Sequence, residues 1–142
     1  VIYLGSPHTA AVLALIKTAW ALVGDGVAPD GLTRDADGRL IQPYVVLYPL
    51  GTPRFDGSLG PGDEQSDAWP AVQLTSVGSS REQAEWMRDK TRTALLGQYL
   101  TVIGRRVGPL RLLDEQAVTR QDDVTPHLYF AVDRFRAFST PS

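Results

Sequence analysis

The chain contains no cysteine, which excludes disulfide frameworks, thiolate metal sites and cysteine nucleophiles, and argues against a small secreted scaffold. Lysine is almost as scarce, with Lys17 and Lys90 standing among basic residues that are otherwise arginine. His8 and His127 are the only histidines, and neither falls in an HExxH or HxxxH spacing, so a zinc site would have to be built largely from scattered carboxylates. No GxxxxGK[ST] loop occurs, and no GxGxxG links a strand to a helix. The apolar run from Thr9 to Val23 falls short of the roughly 20 residues a spanning helix needs and contains Lys17. The VIYLGSPHT that precedes it lacks the basic leader of a secretory signal. A soluble protein made in the cytoplasm is expected. The formal charge of -2 and pI near 5.6 provide no global attraction to nucleic acid.

What remains for catalysis is one grouping, Asp122 and Asp123 close to His127, in which a carboxylate could orient a histidine base. Adjacent aspartates alternate faces in an extended chain, an Asp-Asp turn before a strand is common, and no nucleophile accompanies them. The expectation is a protein that is not an enzyme, with no metal and no cofactor.

The length of 142 residues fits a single domain, 1–142, with room for a core that needs neither disulfide nor metal. Ser6 followed by Pro7 predicts a helix start, and the helix is expected to run to about Val23 and stop at Gly24. Val12, Leu15, Ile16, Ala19, Trp20 and Val23 form its apolar face, while Ala11, Ala14, Thr18 and Ala21 form a small-residue face opposite. Asp25 to Arg39 reads as an aspartate-rich loop whose DADG lacks the later glutamate of a calcium loop. Tyr44 to Tyr48 reads as a strand, and Pro43 and Pro49, which bound it, favour an edge position or a strand terminus. Gly51 to Pro70 is a long, net acidic loop carrying Phe55, Leu59 and Trp69 as possible anchors.

Val72 to Val77 alternates, with Val72, Leu74 and Ser76 on one face. Ser79 with Glu82, or Ser80 with Gln83, provides a capping box for a second helix that ends at Gly97. Ala84, Met87, Thr91, Ala94 and Leu95 form its inward stripe, and Arg81, Glu85, Arg88, Asp89 and Arg92 are expected to lie largely outside it. Gln98 to Ile103 is read as a brief continuation. Arg105 to Leu113 is read as a strand interrupted by Gly108 and Pro109, Val118 to Asp123 as a polar turn, and His127 to Phe138 as the longest strand, whose change of phase near Asp133 to Arg136 suggests a bulge or an emergence from the core. The fold class is α+β: one mixed or antiparallel sheet of about four strands packed with two main helices, in the order α-β-β-α-β-β, with a long loop between the first two strands.

The wording VxxTSVGSSREQAEW, from Val72 to Trp86, resembles the tail-terminator (tail-completion) proteins of long-tailed, non-contractile bacteriophages, especially those of actinobacteria. Arg105 to Pro141, where a basic-apolar strand passes through an Arg-x-Asp-Asp turn into a long final strand, is similar to the end of such proteins. The likeness extends from about residue 40 to Pro141 and lies in wording and element order, with no catalytic motif to transfer. It implies a structural virion protein that caps the finished tail tube as a hexameric ring, stops tube polymerisation and presents the head-docking surface. The implied partners are further copies of the chain, the tail tube protein and a head-tail connector or stopper. Genomic DNA would pass through the lumen without sequence-specific binding, and no membrane is involved. The implied location is the head-proximal end of the virion tail, after assembly in the host cytoplasm. A head-tail connector or head-closure protein is the alternative, and a small ligand-binding or hydrolytic α+β enzyme a more distant one. Length and charge nominate an acidic arm, with Arg54, Phe55, Asp63, Glu64, Asp67 and Trp69, and the second helix's Arg81, Glu85, Arg88 and Arg92, as interface residues.

Overall fold

The computed structural model describes residues 5–51 and 67–142. The elements run α1 (Gly5–Ala19), β1 (Val23–Asp25), β2 (Tyr44–Gly51), β3 (Ala71–Gly78), α2 (Arg81–Leu95), β4 (Arg105–Val107), β5 (Arg111–Glu115), β6 (Thr119–Gln121), β7 (Leu128–Arg136) and β8 (Ser139–Pro141). The two helices and the expected strands stand in the predicted α+β order, with the interrupted Arg105 to Leu113 strand present as β4 and β5 and with β1, β6 and β8 added as short strands. The main sheet is six-stranded in the order β1-β2-β3-β7-β5, and β6 joins β7 beyond the end of β5. It is mixed, because β1 pairs with β2 in parallel and the other neighbours are antiparallel. β4 and β8 form a separate antiparallel pair.

Alternation along β3 decides which face of the sheet is buried by helices. Val72, Leu74 and Ser76 are buried, and they stand opposite Phe135, Asp133 and Ala131 of β7. Val45 and Leu47 of β2 fall on the same face. Against it pack Val12 and Ile16 of α1 and Met87 and Leu95 of α2, giving one continuous core. No helix among the described residues is long and apolar enough to cross a membrane.

α2 begins where the Ser-Ser pair predicts, with the capping box built on Ser80. Ser80 Oγ accepts from the Gln83 amide at 3.2 Å, and Gln83 Oε1 reaches back to the Ser79 amide at 2.7 Å. Gly97 adopts φ +75 just past the helix, the left-handed geometry expected there. Replacing Ser80 by Ala should cost about 1 kcal/mol by chemical denaturation; an unchanged midpoint would mean that the Gln83 side chain holds this helix end by itself.

Several expectations need correcting. α1 ends at Ala19 rather than near Val23, and Val23 begins a strand. The Trp20 indole donates to the Pro43 carbonyl at 3.1 Å and the Leu22 carbonyl accepts from the Val45 amide, so the backbone is drawn onto β2 instead of continuing to coil. β2 is not an edge strand, since it lies between β1 and β3, and of the two expectations the strand terminus holds, with Pro43 directly preceding Tyr44. Its prolines are harmless there, because β1 pairs only with Val45 to Leu47 and the register against β3 shifts between Pro49 and Gly51. Gln98 to Ile103 is not helical; Leu110 donates to the Gln98 carbonyl and Tyr99 bridges to Pro109. The segment read as a polar turn contains β6. β7 pairs with β3 without a break, and the irregularity lies instead in β5, between Leu112 and Asp114.

Candidate assembly surface

Asp133 is the charged residue on the helix-covered face of β7, and its side chain is only 3% exposed. Arg92 reaches it from α2 with two hydrogen bonds, at 2.8 and 2.9 Å, and also pairs with Glu115. These acceptors hold the Arg92 guanidinium well above its ordinary pKa, with the Asp133 hydrogen bond the largest cause. Arg88 Nε lies 3.5 Å from Asp133 Oδ1, while its terminal nitrogen donates to the Gln116 carbonyl. Arg88 and Arg92 therefore turn inward, and the sequence reading that places them largely outside the inward stripe is corrected. Their long stems lie over the sheet and carry the charged groups to Asp133. Asp133, buried on the helix-covered face, breaks the apolar pattern of β7, and the bulge in this span lies on its partner β5, where Leu112 and Asp114 face Phe135 and Arg134.

Arg81 and Glu85 do face solvent, with side chains 63% and 48% exposed, in a weak i,i+4 pair at 4.0 Å. Trp86, absent from the sequence-derived candidates, is 47% exposed beside them. It meets Trp20 edge-on at 5.0 Å, and Lys90 lies over its ring at 5.7 Å. Its position one residue after Glu85 on an outer helix face was the available signal.

Of the acidic arm, Arg54, Phe55, Asp63 and Glu64 lie outside the described residues. Asp67 and Trp69 are described, and both are fixed to the end of the sheet. Thr140 donates to Asp67 at 2.7 Å, the Ala68 amide and carbonyl pair with Ser139, and Trp69 lies between Phe138, at 5.1 Å, and the Arg136 guanidinium, at 4.6 Å. Beside them the fully buried Ser139 hydroxyl lies 2.8 Å from His8 Nε2 and accepts from Arg105 Nε at 2.9 Å.

The His127 grouping comes together loosely. Nδ1 lies 3.6 Å from Asp122, both side chains are about half exposed, and Asp122 also pairs with Arg120. The serines lining the same depression are engaged in capping: Ser80 Oγ accepts from the Gln83 amide and Ser79 Oγ donates to Gln83 Oε1. In the aspartate loop, Asp35 Oδ1 accepts the Asp37 and Arg39 amides at 2.9 and 3.0 Å, the geometry of an ordinary Asx turn.

The sheet face turned away from the helices is partly covered: Val46, Val77 and Val132 are buried there, while Tyr48 is 38% exposed. Tyr44, Val46, Tyr48, Val77, Leu128 and Phe130 line a shallow hollow of about 410 Å³ there, with Asp123 at its margin. Partial burial raises the Tyr44 phenol pKa, so this hollow presents a neutral hydroxyl.

The fold thus belongs to the class of α+β domains in which one mixed sheet carries two helices on a single face. Among solved structures, it is similar to a chain from the virion of a native gene transfer agent particle, with a TM-score of 0.63 and 18% identity, covering 92% of each chain. A second solved chain shares the fold with a TM-score of 0.54 and 12% identity, over 96% of this chain and 93% of that one. No protein-family model and no curated protein matches the sequence.

Proposed function

We propose that this chain is a non-enzymatic structural protein of a phage-type virion, and specifically a tail terminator. In this reading, copies form a hexameric ring at the head-proximal end of the tail tube, halt tube growth and provide the surface on which the head docks. The observation that carries it is the fold shared over nearly the whole length with a chain of a gene transfer agent virion. The tail-terminator wording around Ser79 and Ser80 narrows it. A head-to-tail contact that closes at a fixed rotation gives one small domain both a cap and a channel, and the negative net charge suits a lumen through which DNA passes without being gripped. The acidic arm from Arg54 to Trp69, together with the exposed Arg81 and Glu85, supplies contacts to the tube or to neighbouring copies, whereas Arg88 and Arg92 contribute by holding α2 to the sheet.

Electron microscopy of particles made without this gene tests the proposal. Overlong, headless tubes beside DNA-filled heads are expected. Tails of normal length beside leaking or undocked heads would instead indicate a head-tail connector, and unaffected virions would defeat both readings.

A further inference from the structure

Ile103 is fully exposed. The turn that displays it is built: the Arg105 amide bonds back to the Val102 carbonyl at 3.1 Å, and Gly104 takes φ +79, the left-handed value that a type II turn needs at its third position. Val102 on one side is buried in the core and Arg105 on the other is tied to Ser139, so the apolar tip stands on fixed supports. Tyr99, 67% exposed, lies on the same connection. Arg106 and Arg111, which follow the turn, are exposed, while Arg92 and Arg105 are engaged by Asp133 and Ser139; from Lys90 to Leu113 the chain has no acid.

The hollow on the far sheet face has the opposite character. Its floor is apolar and aromatic, and Asp123 lines its margin with Asp122 adjacent in the chain. The loop leading to β2 contributes Ala28 to its lining. A projecting apolar tip followed by the exposed Arg106 and a recessed apolar floor with Asp123 at its margin are complementary in shape and in charge. They lie on separate parts of the fold, so a copy can use both at once, which is the requirement for a heterologous contact that propagates around a ring.

We infer that the Ile103 turn of one copy seats in the sheet-face hollow of the next, with Arg106 approaching Asp123. The partner is a second copy of this chain; the inference rests on the ring reading above and names the surfaces that join the ring.

The native chain has no cysteine, so cross-linking with a short bis-maleimide tests the contact cleanly, on free protein at high concentration and on purified particles. The double variant Ile103→Cys with Tyr48→Cys should yield a ladder of covalent multimers, and either single variant should yield none. Ile103→Asp should leave the melting temperature unchanged while abolishing multimers. Arg106→Asp should weaken assembly and Asp123→Arg should restore it in the same chain. A ladder absent from both samples, multimers persisting in Ile103→Asp, or cross-linked dimers from Ile103→Cys alone would overturn the inference. Tails that terminate normally without a ladder would overturn this contact and leave the terminator reading standing. A ladder in particles that carry the chain away from the tail end would do the reverse.

Discussion

Replacing Asp133 by Ala should lower stability by about 3 kcal/mol, a fall in melting temperature of about 10 °C for a domain of this size. The cost comes chiefly from what is left behind. Arg88 and Arg92 converge on this carboxylate with side chains only 13% and 24% exposed, and without it two guanidinium groups remain partly buried above an apolar sheet. Arg92 retains Glu115, which is half exposed, but Arg88 Nε is buried with no hydrogen-bond acceptor even in the native chain. A triple variant that removes all three charges, Arg88→Met, Arg92→Leu and Asp133→Leu, should recover most of the loss, because apolar groups of similar volume often match a buried ion network in stability. Thermal denaturation of the two variants checks both statements. A single variant as stable as the native chain would mean that water already solvates the pair of arginines.

Gly24→Ala should cost about 2 kcal/mol or more, as overpacking against an unyielding neighbour does. A Cβ at this position would meet the Val27 carbonyl oxygen at 1.8 Å and the Pro29 nitrogen at 3.1 Å. The obstructing atoms are backbone, so no rotamer change relieves them; the turn over Gly24 has to open. Opening it should loosen β1, and hydrogen exchange at the Gly26 amide, which bonds to the Leu47 carbonyl at 2.9 Å, should quicken first. Were Gly24 a helix stop, the same substitution would stabilise the chain by extending α1. The sign of the measured change therefore distinguishes the two roles.

Gly24 illustrates where sequence reading succeeds here and where it stops. α2 was legible at both ends because its signals are local: Ser80 and Gln83 are three residues apart, and Gly97 acts on the turn it follows. The alternation of β3 was legible for the same reason. β1 was not, since nothing in Val-Gly-Asp distinguishes a strand from a helix terminus until β2 lies alongside it. The inward turn of Arg88 and Arg92 was hidden because their helix positions suit solvent, and the carboxylate that draws them in lies 41 residues beyond Arg92. The exposed pair Arg81 and Glu85 could be placed from spacing alone. Ile103 and the hollow on the far sheet face required the fold, since exposure of an apolar residue is decided by what fails to cover it.

The contact between His8 and Ser139 spans 131 positions of the chain. During synthesis α1 emerges before its partners, since the hydroxyl that meets its histidine belongs to β8, the last described strand, and Arg105, which fixes that hydroxyl, also follows α1 in the chain. Contacts of such long range form late in folding, because the loop between them has to be closed first. The nascent chain thus lacks a finished α1 seat until Ser139 has been translated.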